Sequence, residues 1–174
     1  MTGLVEVYTG NGKGKTTISL GLALRAVASG MRVIMVQFIK APGQSGEEKI
    51  PLIVKGLDVK PMGAGFVGIM NDCLPKEMHI AAAQKAIEHA GGCASSGGYD
   101  LVILDEVNVA LSLGLISMES VLKLIKAKHP STELILTGRN APKELMMAAD
   151  LVSELVEVKH PFATGVLARK GIEY

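Results

Sequence analysis

Between an apolar run at residues 4–8 and a helical pattern that begins near residue 17 stands the loop Thr9-Gly10-Asn11-Gly12-Lys13-Gly14-Lys15-Thr16-Thr17. No other segment constrains the chain as much. Glycines let the backbone take positive φ and bring successive N–H groups against anionic oxygens, and the start of a helix adds positive partial charge. Lys15 supplies a mobile full charge, and Thr16 a hydroxyl suited to a magnesium ion riding on phosphates. A strand, a glycine loop and a helix in this order predict a polyphosphate ligand. The common spacing G-x-x-x-x-G-K-[ST] asks for glycine where Thr9 stands, so the match is complete only from Gly14 onward. Lys13 reads equally as a phosphate contact or as a solvated loop lysine.

Apolar runs too continuous for half-exposed strands recur at residues 4–8, 33–38, 101–104 and 134–136, with weaker ones at 57–62 and 155–158. Helical patterns occupy residues 17–29, 76–89, 117–128 and 142–149. This alternation predicts an α/β fold: one domain over residues 1–174, with a mostly parallel six-stranded sheet flanked by helices on both faces. Right-handed crossovers place the glycine loop at the carboxyl edge of that sheet, where motifs at other strand ends should gather. Two further glycine-rich stretches stand out. Residues 41–46 follow the second strand, where a substrate loop is expected, and residues 91–98 read as a plain connector before the fourth.

Composition narrows the function classes. With 18 basic and 17 acidic residues and no basic tract interleaved with aromatics, nucleic acid is not favoured as a partner. The longest apolar stretch, residues 101–116, is interrupted by Asp105, Glu106 and Asn108 and is too short to span a bilayer. Cys73 and Cys93 lack metal-ligand spacing, and the first strand begins almost at Met1 without a leader, so the expectation is a cytoplasmic protein in a reducing compartment.

Three more strand ends carry chemistry. Val102-Ile103-Leu104-Asp105-Glu106 ends in two carboxylates, fit either to hold magnesium beside a phosphate loop or to cap the next helix. Asn108 can bond a ribose, a substrate amide or the local turn. Leu136-Thr137-Gly138-Arg139-Asn140 offers Arg139 for bidentate phosphate contact or for a surface ion pair. Arg25, on the helix after the loop, reads first as a solvated arginine. Lys159-His160-Pro161-Phe162 can form one wall for a flat base.

Taken together these segments resemble the ATP:corrinoid adenosyltransferases, which transfer the 5′-deoxyadenosyl group of ATP to cob(I)alamin. The resemblance is carried by residues 8–17, Leu24-Arg25-Ala26-Val27, Gln37-Phe38-Ile39-Lys40, Gly63-Ala64-Gly65-Phe66 and residues 104–111. It continues through residues 136–142, 148–154, 158–162 and 170–174, in order along nearly the whole chain.

The resemblance implies a RecA-like phosphate-loop fold, a homodimer, a reductase supplying cob(I), and magnesium, ATP and a corrinoid in the site. It also implies an ATP reversed relative to phosphate-loop hydrolases, with C5′ facing cobalt and the triphosphate leaving. Position by position, Gly10, Asn11, Gly12, Lys13, Gly14, Lys15, Thr16 and Thr17 would hold the triphosphate. Thr16 and Glu106 would be the metal contacts, and Lys15, Thr16 and Glu106 the catalytic set. Arg25, Asn108, Arg139, His160 and Phe162 would lie about the nucleotide, and Phe66 would face the corrinoid.

The chain departs from the family at two places on the corrinoid side. Val67-Gly68-Ile69 follows Phe66 where relatives carry threonine, tryptophan and glutamate, and residues 41–46 replace another tryptophan-bearing stretch. The residues alone also fit a phosphate-loop ATPase or small-molecule kinase, or a non-catalytic module that binds nucleotide and corrinoid.

Overall fold

The computed structural model describes residues 2–69 and 72–173. Its strands are β1 (Val5–Thr9), β2 (Val33–Gln37), β3 (Leu57–Pro61), β4 (Leu101–Asp105), β5 (Glu133–Thr137) and β6 (Leu151–Glu154). They form one sheet in the order β3-β2-β4-β5-β1-β6, and every neighbouring pair is parallel. The helices are α1 (Lys15–Ala28), α2 (Lys76–Ser95), α3 (Val107–Ser112), α4 (Met118–Ala127) and α5 (Lys143–Ala148).

Because side chains alternate across a strand, each central strand feeds two cores. Val102 and Leu104 of β4 and Leu134 and Leu136 of β5 pack on one face with Ala83, Ala86 and Ala90 of α2 and Leu124 of α4. Ile103, Ile135 and Met35 point to the other face, against Ala23 and Ala26 of α1. Burial on both faces explains why these strands read as unbroken apolar runs. The alanine stripes of α1 and α2 let those helices lie close to the sheet.

Two boundaries differ from the sequence expectation. The last strand is Leu151–Glu154, not residues 155–158, because it pairs with β1 from Glu6↔Leu151 to Thr9↔Glu154. Beyond that register Leu155 leaves the sheet and bonds the glycine loop: its N–H donates to the Thr9 carbonyl (2.9 Å) and its carbonyl accepts from the Gly12 N–H (2.7 Å). In the stretch expected as a connector, residues 91–95 continue α2. The buried face formed by Ala90, Cys93 and Ala94 outweighs the weak helix propensity of Gly91 and Gly92. Three short elements lie outside the sequence expectation: α3, and 3₁₀ segments at Gly46–Leu52 and Pro161–Thr164. Among the described residues no helix is long and apolar enough to cross a membrane.

This strand order places the carboxyl ends of β2, β4, β5 and β1 side by side. Gln37 lies opposite Asp105 across β2 and β4, and Thr137 opposite Tyr8 across β5 and β1.

Candidate active site

The glycine loop leaves β1 at Thr9 and enters α1 at Lys15. Gly14, at φ 119°, precedes the helix, and no acidic residue stands in the first turn, so the N-terminal N–H groups face an uncompensated positive end. Thr9, where the common spacing has glycine, is buried, and its Oγ1 accepts from the Ala141 N–H at 3.1 Å, tying the loop to the turn after β5. Gly10 has φ 92°, and a Cβ there would stand 2.4 Å from the Leu155 carbonyl oxygen. Gly10→Ala should therefore distort the loop, lowering nucleotide affinity at least about tenfold and stability by about 1–3 kcal/mol. Titration calorimetry and denaturant melts check both; wild-type affinity in the variant would refute the tight packing of this loop on Leu155.

Lys15 Nζ donates to the carbonyls of Gly10 and Gly12, each at 2.7 Å, so its charge lies within the curl of the loop. Burial, and then the neighbouring Arg139 guanidinium, lower its pKa. Lys13 pairs with Glu173 Oε1 at 2.7 Å. Arg169 also holds Glu173, with Nη2 donating to the same oxygen at 3.0 Å. Hydrogen bonds from Arg169 and then Lys13 keep the Glu173 carboxyl far below its ordinary range. The chain near the C-terminus thus straps over the glycine loop.

The two carboxylates after β4 have different environments. Asp105 is fully buried and accepts from Thr16 Oγ1 (2.8 Å), Thr137 Oγ1 (2.9 Å) and Gln37 Nε2 (3.1 Å). Glu106 stands at the start of α3 with φ 62°, a strained backbone for a residue with a side chain, and its N–H donates to Thr137 Oγ1 at 2.9 Å. Burial, and then repulsion from Asp105, push its carboxyl up to about 7, against the pull of Lys40 and Lys15.

A cavity of about 660 Å³ lies over the loop, lined by Gly12, Lys13, Gly14, Lys15, Thr16 and Thr17, with Glu106, Arg139, His160 and Phe66 around it. A second cavity of about 650 Å³ adjoins it, walled by Ala64, Gly65, Ile69, Cys73 and Leu74. Lys40, Phe66 and Glu173 line both. Asp72 organises the second wall, accepting from the N–H groups of Gly68 (2.8 Å) and Leu74 (3.0 Å) and meeting buried His79 Nε2 at 3.1 Å.

Most of the residues singled out in the sequence meet at the first cavity, and some lie apart from its lining. Gly10 packs against Leu155 and bonds Lys15 through its carbonyl, and Asn11 is exposed. Arg25 is exposed on α1. Phe162 is exposed, and its N–H donates to His160 Nδ1 at 3.2 Å. Asn108 is buried behind the site, its Nδ2 donating to the Gly138 carbonyl at 3.2 Å and its Oδ1 left without a partner. Gln37, Thr137, Lys40, Glu47 and Glu173 were not foreseen as site residues. For Gln37, Thr137, Lys40 and Glu173 the only signal was position at strand ends or in the matching segments, and Glu47 carried none.

A profile of the ATP:corrinoid adenosyltransferases BtuR/CobO/CobP matches residues 1–174. The chain belongs to the ATP:corrinoid adenosyltransferase family. It is 37% identical over 172 residues to the corrinoid adenosyltransferase of Escherichia coli K12, covering 99% of this chain and 86% of that one. Identity is 39% over 177 residues with the corrinoid adenosyltransferase of a Sinorhizobium species, covering 99% and 80%. With the corrinoid adenosyltransferase CobA of Salmonella typhimurium LT2 it is 36% over 172 residues, covering 99% and 86%. Among solved structures, the KaiC-like protein PH0186 of Pyrococcus horikoshii superposes with a TM-score of 0.54 at 16% identity, over 91% of this chain and 75% of that one. That likeness carries the fold alone, the RecA-like arrangement expected of this family.

Proposed function

We propose that this adenosyltransferase family member transfers the 5′-deoxyadenosyl group of ATP to the cobalt of a reduced corrinoid and releases triphosphate. The observation that carries the reading is the pair of adjoining cavities of similar size, one built around a phosphate loop and the other largely apolar, with Phe66 between them. A hydrolase needs only the first.

In this reading the loop N–H groups and Lys15 hold the triphosphate, and Arg139 adds a fork of donors. ATP lies with C5′ toward the second cavity, so these donors meet the charge that grows on the departing group. Cob(I)alamin is itself the nucleophile, which leaves the protein to align C5′ with cobalt and exclude water. His160 lines the nucleotide end, and Phe66 forms the face toward the corrinoid.

Thr16 and Glu106, both lining the first cavity, offer hard oxygen donors that suit magnesium, with Asp105 behind them holding the Thr16 hydroxyl. Among the described residues no group of three or more His, Cys, Asp or Glu side chains could hold a metal, so a magnesium ion here would take most of its ligands from phosphates and water. Magnesium bound there would neutralise part of the triphosphate charge. One domain over residues 1–174, a homodimer, a cytoplasmic location and a reductase supplying cob(I) belong to the same proposal.

Anaerobic incubation with magnesium, ATP and chemically reduced cob(I)alamin tests it. Adenosylated corrinoid together with intact triphosphate is the expected result. ADP or free phosphate without a cobalt–carbon bond would instead make the protein an ATPase. Phe66→Ala should raise the corrinoid KM about tenfold while ATP affinity stays within about threefold, since only stacking area on one side is lost. Equal losses for both substrates would remove Phe66 from the corrinoid face.

A further inference from the structure

Lys40 leaves the carboxyl end of β2 and sits where the two cavities meet. Among the described residues three side chains line both spaces: Phe66, which is uncharged; Glu173, whose carboxylate is taken by Lys13 and Arg169; and Lys40. Lys40 is therefore the cation lining both. Its Nζ bonds Glu47 Oε1 at 3.1 Å, and the two side chains are only 13% and 15% exposed. Burial opposes the charge, but the carboxylates of Asp105, Glu47 and Glu106 overcome it, so the ammonium is held charged above its ordinary pKa. The partner is not fully satisfied: Glu47 Oε2 is buried with no hydrogen-bond partner. A buried ion pair is a weak stabiliser compared with apolar side chains of similar volume, so fold stability alone gives little reason for one here.

Resting on the activity proposed above, the requirement at this boundary is specific. Cobalt(I) donates an electron pair to C5′ as the C5′–O5′ bond breaks. That bonding pair stays on O5′ of the triphosphate, and cobalt becomes formally cobalt(III) in the new cobalt–carbon bond. Negative charge thus grows on O5′, next to the carbon that faces the second cavity. Lys15, curled among the carbonyls of Gly10 and Gly12, lies within the loop. We propose that Lys40 is a catalytic residue of the transfer, its ammonium contacting the departing O5′ where the nucleotide and corrinoid cavities meet. Glu47 is its positioning residue, fixing the ammonium at the boundary. A charge aimed at the leaving oxygen acts on the transition state more than on bound ATP, so it should appear in the rate rather than in affinity.

Single-turnover formation of the cobalt–carbon bond, followed anaerobically at saturating ATP and cob(I)alamin, separates this role from a structural one. Lys40→Met keeps the stem and removes the charge, but it leaves Glu47 unpaired. The double variant Lys40→Met/Glu47→Gln removes that orphan charge as well. Both should transfer about a hundredfold more slowly than wild type, with ATP dissociation constants within about threefold. If the ion pair only held the fold, the double variant would regain a rate within about threefold of wild type, and the proposal would be overturned. A fall in ATP affinity that accounts for the whole loss would overturn it too. Absence of product from the wild-type protein would sink the activity itself and this assignment with it. Normal wild-type transfer beside an undiminished double variant sinks the assignment alone.

Discussion

Lys15→Ala should abolish productive ATP binding, with transfer at sub-saturating ATP falling at least about a hundredfold. The ammonium is the one full charge inside the curl of the glycine loop, 2.7 Å from the carbonyls of both Gly10 and Gly12. Replacing it removes a charge-assisted contact to phosphate and also leaves those carbonyls facing an incoming anion. Burial already lowers the lysine pKa, so the site holds a charge it does not solvate well, one that a phosphate would compensate. Lys15→Arg should not rescue, because a planar fork cannot occupy the space of a compact ammonium in this loop. Calorimetric titration with ATP and the anaerobic transfer assay check the result. Unchanged kinetics in Lys15→Ala would refute the reading of the loop as the triphosphate cradle.

Asp105→Ala should be the most destabilising of the site substitutions, at about 3 kcal/mol or more. Its carboxylate accepts from Thr16, Thr137 and Gln37 with no exposed surface. Without it, three donors from three separate elements lose their acceptor in a place water does not reach, and each such loss is individually costly. At this chain length a change of that size lowers the melting temperature by roughly 6–12 °C. Transfer should fall with it, because Thr16 loses the bond that orients its hydroxyl toward the phosphates. Asp105→Asn keeps one acceptor oxygen and should lose less stability while still losing activity. Thermal melts and the transfer assay separate the two effects. An Asp105→Ala protein as stable as wild type would mean that the strand ends are not held together through this carboxylate.

Asp105 also shows where the sequence stopped being informative. An apolar strand ending in Asp-Glu beside a phosphate loop was enough to mark both carboxylates, but not to divide them. Which one joins Thr16 depends on the parallel register that sets Gln37 opposite Asp105 and brings β5 alongside. Lys40 and Glu47 show the same limit more sharply. Both are ordinary charged residues in the sequence, seven apart, and only the fold of residues 41–46 brings them together at the boundary of the two cavities. Asn108, which the sequence left open between a nucleotide contact and a bond to the local turn, is buried and donates to the Gly138 carbonyl, a contact fixed only once β4 and β5 lie side by side.

Local chemistry determined what needs no distant partner. The glycine loop demands a strand before it and a helix after it, unbroken aliphatic runs demand burial on both faces, and ordered motifs along the chain carry the family. Tertiary structure alone decided what depends on register and on crossing elements. It moved the last strand to Leu151–Glu154, because pairing with β1 fixes where that strand must end. It continued α2 through Gly91 and Gly92, because a buried face outweighs their propensity. It set Lys40 between two cavities, because β2 happens to end where they meet. Propensity and motif act over a few neighbouring residues, whereas a site built from four strand ends exists only once the sheet has chosen its order.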